Sequence, residues 1–103
     1  MSTIKLRGVI LRDEKGWLIC QCLEHDICVQ AMTMPDLIQA LVRNLKAQIA
    51  LDLDRGDQPF ANIPRAPDRF FQIYDYLAMK IASGISPIKM ADSEVLEPEL
   101  RAA

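Results

Sequence analysis

Three cysteines and the chain's single histidine fall in one short stretch, Cys20-x-Cys22-x-x-His25-x-x-Cys28. Thiolate and imidazole are the ligands zinc prefers, so a metal centre is the first chemistry to weigh. The spacing argues against it. On an extended strand Cys20 and Cys22 share a face about 7 Å apart, roughly twice the separation of two sulfurs on one zinc. Free cysteine also packs as a small hydrophobe. No neighbouring cation or helix N-terminus stands ready to lower a thiol pKa. The three thiols are read as structural.

His25 lies between Glu24 and Asp26, and an imidazole oriented by carboxylates is suited to proton transfer. The loop Glu24-His25-Asp26 therefore carries the alternative reading of a degenerate metal-dependent nuclease or hydrolase. It lacks a partnered serine and oxyanion donors. Asp13 and Glu14 are the only other carboxylates nearby, at the opposite end of the same strand, so the two pairs cannot share an ion. Solvated turn charges are the simpler account. Trp17, Phe70, Phe71, Tyr74 and Tyr76 offer stacking faces for single-stranded nucleic acid. Arg65, Arg69 and Lys80 are interspersed with Asp68 and Asp75 and make no basic groove, so these rings belong to a core or an interface. No catalytic, cofactor-binding or metal-ligating residue is assigned, and the expected protein is not an enzyme.

The elements that would position these residues follow from apolar spacing. Thr3 to Arg12 alternates as a half-buried strand. Asp13-Glu-Lys-Gly16 is a polar turn in which Gly16 is free to take a positive φ. Trp17 to Leu23 and Ile27 to Ala31 complete three antiparallel strands. Thr33 is a good N-cap, Pro35 sits harmlessly in the first turn, and Asp36 at N3 suits the positive helix end. A helix should thus open at Met34, with Met34, Leu37, Ile38, Leu41, Val42, Leu45, Ile49 and Leu53 along one side and Gln39, Arg43, Lys46, Asp52 and Asp54 on the other. Gly56 is its C′ stop.

About 21 helical residues span roughly 31 Å, while a seven-residue strand reaches only about 23 Å. The helix overhangs its sheet, and Ile49 and Leu53 need a cover, either from the segment after Gly56 or from a second copy of the chain. The segment from Gln58 to Pro67 is too rich in proline for helix or central strand, leaving Phe60 and Ile63 to make at most a short fourth edge strand. Pro67 opens a second helix, Asp68 to Ala82 or Ser83, with Phe70, Ile73, Tyr74, Leu77 and Ile81 on one stripe and Gly84 as its end. Phe71, Tyr76 and Met79 lie outside that stripe and point to a second apolar contact. Residues 85–103 show no sustained period and read as a flexible tail. The expected organisation is a single α+β domain over residues 1–84, a three-stranded antiparallel sheet on one long helix with a C-terminal helix at 67–83.

The 103 residues are half hydrophobic, enough for a single modest core. Twelve basic and fourteen acidic side chains give a net charge of −2, which does not attract nucleic acid at long range. The N-terminus lacks the apolar run of a secretory signal, and no window is apolar enough to span a membrane. An odd number of cysteines fits reduced thiols. A cytoplasmic protein is expected.

Gly16-Trp17, the strand Leu18 to Cys22, the loop Leu23 to Asp26, the strand Ile27 to Gln30 with Ala31, and Thr33 opening a helix with Met34, Leu37, Ile38, Leu41 and Leu45 together resemble the core of the HicB-like antitoxin family. The match runs from about Ile4 to Pro67, and Ala31 stands where the family usually has glycine. The resemblance implies a β-β-β-α fold similar to a reduced ribonuclease H fold without its catalytic carboxylates. It further implies an antitoxin that binds and masks a small, basic, RNA-cleaving toxin of the HicA type. Many such proteins also repress their own operon through an added DNA-binding domain. Fewer than twenty residues follow Gly84, too few for such a module, which argues against direct DNA binding. A homo-oligomer assembled through sheet edges or overhanging helix faces is expected.

Overall fold

Side chains alternate across the first strand, and its two faces lead to two different cores. In the computed structural model, which describes residues 2–81, 85–91 and 94–103, the chain runs β1 (Ser2–Arg12), β2 (Leu18–Cys22), β3 (Cys28–Ala31), α1 (Met34–Asp54), α2 (Asp68–Tyr76), β4 (Lys80–Ile81), β5 (Ile88–Ala91) and β6 (Glu94–Ala102). Leu6 and Ile10 of β1 point into a core shared with Leu37, Leu41, Leu45 and Ile49 of α1. Val9, between them, packs with Leu23 and Tyr74 beneath α2. The two helices therefore cover opposite faces of the sheet.

That sheet has six strands, in the order β3-β2-β1-β6-β4, with β5 also paired to β6. The expected antiparallel meander is present, with Ile10 opposite Cys20 and Cys20 opposite Val29. The other half corrects the expected three-stranded sheet and flexible tail. Instead of fraying, β6 lies parallel to β1 along its whole length, from Ser2 opposite Glu94 to Ile10 opposite Ala102. Leu96 and Leu100 are fully buried under α1. Gly8 faces Leu100 in this register, and a Cβ there would meet Leu100 Cδ2 at 2.7 Å and the Gln21 carbonyl at 3.2 Å. Only glycine fits without displacement. On the outer side of β6, β5 pairs from Glu94 to Leu96 and β4 at Leu100 and Arg101. Pro98 falls in the gap between them, where its missing N–H interrupts no pairing along that edge.

The first helix behaves as its capping residues dictate. Thr33 Oγ1 accepts from the Asp36 N–H at 3.3 Å, and Gly56 takes φ +78° just past the end. Its overhang is covered only in part. Ile49 is buried against β5 residue Ile88 and the same core, so the cover is a strand rather than a second copy, but Leu53 remains 44% exposed. Asp52, expected on the polar side, is buried. Its carboxylate accepts from Gln48 Nε2 at 2.9 Å and from the Phe60 N–H at 2.7 Å. Phe60 is no edge strand either. It adopts φ +64° in a turn and is fully buried, a conformation costing about 1–2 kcal/mol for an L-residue. The Asp52 bond and the buried ring offset that strain.

The second helix stops at Tyr76, short of the expected Ala82 or Ser83, which with Gly84 lie outside the described residues. Leu77 turns extended, and Ile81 joins β4 instead of extending the helix stripe. Arg101 explains the stop, because its Nη1 donates to the carbonyls of Tyr74 and Leu77 at 2.8 and 3.3 Å, acceptors that a helix end leaves open. Its guanidinium also lies 4.0 Å over the Tyr74 ring. Arg7 reaches both Tyr74 and Phe71, and Arg65 covers Phe71 at 4.3 Å, so cations and rings alternate along this face. Phe71 is thus used within the chain, whereas Tyr76 and Met79 stay exposed. Among the described residues no helix is long and apolar enough to cross a membrane.

Candidate functional site

The residues with the most obvious chemistry are held apart by structural bonds. Cys20 and Cys22 are fully buried in the α1 core, while Cys28 is exposed on β3. Register explains the separation: Cys20 faces Val29, and Cys28 faces Gln21, which projects from the other side of β2. The Cys20 hydrogen bond and then burial hold the Cys22 thiol well above its usual pKa, and burial also raises Cys28. Neither is a ready thiolate.

The Glu24-His25-Asp26 loop is similarly occupied. Glu24 accepts from the Arg7 N–H at 2.7 Å and from Arg7 Nε at 2.6 Å, tying the middle of β1 to the loop. His25 Nδ1 lies 3.1 Å from the Ile63 carbonyl, which only an N–H can satisfy, and its ring packs 5.1 Å from Phe60. Asp26 accepts from Gln21 Nε2 at 2.7 Å, and its N–H donates to Pro64. Each side chain is directed at a different partner: Glu24 holds β1 and Asp26 holds β2, while His25 and the Asp26 N–H fasten Phe60, Ile63 and Pro64 to the β2–β3 connection. Asp13 serves its own turn, accepting from the Lys15 and Trp17 N–H groups at 2.9 Å each. Among the described residues, no three His, Cys, Asp or Glu side chains come together as a metal site.

What the fold does present is an open edge. β3 ends the sheet and pairs only with β2 among the described residues. The Cys22 N–H donates to the Ile27 carbonyl at 2.8 Å. Antiparallel pairing alternates, so Val29 and Ala31 also bond inward to β2. The N–H and C=O of Cys28 and Gln30 therefore point outward. Both side chains are exposed, and Met32 follows at 52% exposure. The strand carries no proline, charge or bulge, the usual devices that protect an edge. Spacing in the sequence locates this strand and its place at the end of the meander; what the sequence does not reveal is that β6 covers the other side of β1, so that β1 is not a second edge.

In comparisons with known proteins, the chain matches no family model, no curated protein and no solved structure.

Proposed function

We propose that this chain is a non-catalytic, antitoxin-like binding protein of the HicB type that self-associates through β3 and masks a small, basic, RNA-cleaving toxin of the HicA type. The observation that carries the reading is the unprotected β3 edge beside a loop whose acids and histidine are all committed to structural bonds. Further support comes from the β-β-β-α order of the first half, with β1 central in the sheet.

A two-fold axis at Val29 would set Cys28 of one copy opposite Gln30 of the other and form four backbone bonds. At about 0.5–1.5 kcal/mol each these total about 2–6 kcal/mol, which reaches only the low end of an association cost of about 4–15 kcal/mol. Met32 and the flanking side chains must be buried with them.

Light scattering on the purified chain at micromolar concentration tests the assembly. The expected mass is a multiple of 11.6 kDa, and Gln30→Pro, which removes an outward N–H and leaves the β2 pairing intact, should return it to monomer. A wild-type monomer would refute self-association. A short HicA-like gene beside this one, whose product co-purifies with the chain, is the result expected for the toxin. Failure of the two to co-purify removes that part of the reading, and His25→Ala should leave the complex intact.

A further inference from the structure

On the flank of α1 away from β3, three surface depressions all touch Lys46, the first two also share Val42 and the last two share Ile88 and Lys89, so they merge into one trough between the helix and β5. It begins at Ile38 and ends at Leu53, about 22 Å along the helix axis. Ile49 and Ala50 form part of its floor, and Ala50, being small and exposed, permits close approach of a docked backbone. The charged side chains along its rim are all basic, Arg43, Lys46 and Lys89, each exposed, with Gln39 and Ser86 as neutral polar neighbours. Among the described residues no acidic side chain lines it and none of the three cations forms an ion pair. In a chain whose net charge is −2, this is a local inversion of sign.

We infer that the trough docks an acidic amphipathic segment of a partner polypeptide, apolar side chains on the floor and carboxylates against Arg43, Lys46 and Lys89. A second copy is a poor occupant, because two-fold pairing of this face sets the same three cations against each other. A single nucleic acid strand would need stacking faces, and among the described residues no aromatic ring lines the trough. Four turns of an amphipathic helix match the length. The inference is independent of assembly through β3, which lies at the other end of the sheet.

The test uses fluorescence anisotropy of the full chain with four labelled probes: a 16-residue helical peptide with leucine on one face and glutamate beside it, its lysine-for-glutamate counterpart, a scrambled acidic peptide of equal charge, and a 15-nucleotide oligouridine. The acidic amphipathic peptide should bind at least tenfold more tightly than the others. Lys46→Glu and Arg43→Glu should each weaken it about tenfold, with circular dichroism and molar mass unchanged. Equal binding of the scrambled or basic peptide, tighter binding of the RNA, no binding of the acidic helix, or indifference to both charge reversals would each overturn the inference.

Discussion

Leu96→Ala distinguishes a structural last strand from a loose tail. Leu96 is fully buried in β6, opposite Ile4 of β1 and Ile88 of β5, within the α1 core. Truncating such a leucine costs about 2–5 kcal/mol, the lost transfer energy plus the cavity left in a site that collapses incompletely. Paired strands on both sides and a helix above leave little room for collapse, which places the expected loss at about 3 kcal/mol or more. Unfolding entropy of about 2.1 cal/mol/K per residue over 103 residues converts a loss of about 3–5 kcal/mol to a fall in Tm of about 14–23 °C. Thermal and urea unfolding followed by circular dichroism reads the change directly. Leu53→Ala, at a site 44% exposed, is the control and should cost less than about 1 kcal/mol. If Leu96→Ala shifts the midpoint no more than Leu53→Ala does, β6 is not part of the cooperative fold.

Asp52→Ala should cost about 2–4 kcal/mol by leaving the buried Phe60 N–H without an acceptor, and amide exchange at Phe60 should accelerate ahead of its neighbours. Gly8→Ala should cost about 1–3 kcal/mol through the Leu100 contact; combined with Leu100→Ala, the two losses should be less than additive. The Glu99 carboxyl is held below its ordinary 4.5, first by the Lys80 hydrogen bond. A depressed carboxylate contributes stability that is present above its unfolded value and lost as pH falls through its folded one. Glu99→Gln should therefore lower stability at neutral pH and flatten the loss between pH 5 and 3, and an unchanged acid limb would count against the pair. Native protein treated with a thiol reagent at pH 8 should label slowly at Cys28 alone, with Cys20 and Cys22 reacting only on unfolding.

Local rules made the first half of the chain legible. Thr33, Pro35, Asp36 and Gly56 set both ends of α1 because capping depends on a few neighbouring residues. Gly16 took its positive φ for the same reason. β6 was hidden because its fold-defining features are all distant. Leu96 and Leu100 stand among Glu94, Glu97, Glu99 and Pro98, a composition typical of loops. Only the gap between β4 and β5 makes the proline tolerable, and only Gly8 makes room for Leu100. α2 looked longer because the stripe continues through Leu77 to Ile81, whereas an arginine 27 positions after Tyr74 terminates it. The bonds of the Glu24-His25-Asp26 loop were hidden for a related reason. Nothing in the spacing of Glu24, His25 and Asp26 indicates that Arg7, Ile63 and Gln21 would each claim one of them. The rim position of β3 follows from the meander alone, whereas the covering of β1 depends on β6 and was out of reach.

The parallel pairing of β1 with β6 joins segments 92 positions apart, Ser2 with Glu94 through to Ile10 with Ala102. A ribosome adding about 5–20 residues per second takes about 5–20 s to deliver the second after the first. Throughout that interval β1 offers one bare side to any strand it meets, including one on a neighbouring nascent chain. Translation speed and crowding on a polysome thus enter the yield of correctly folded protein, and slower elongation lengthens the period of risk.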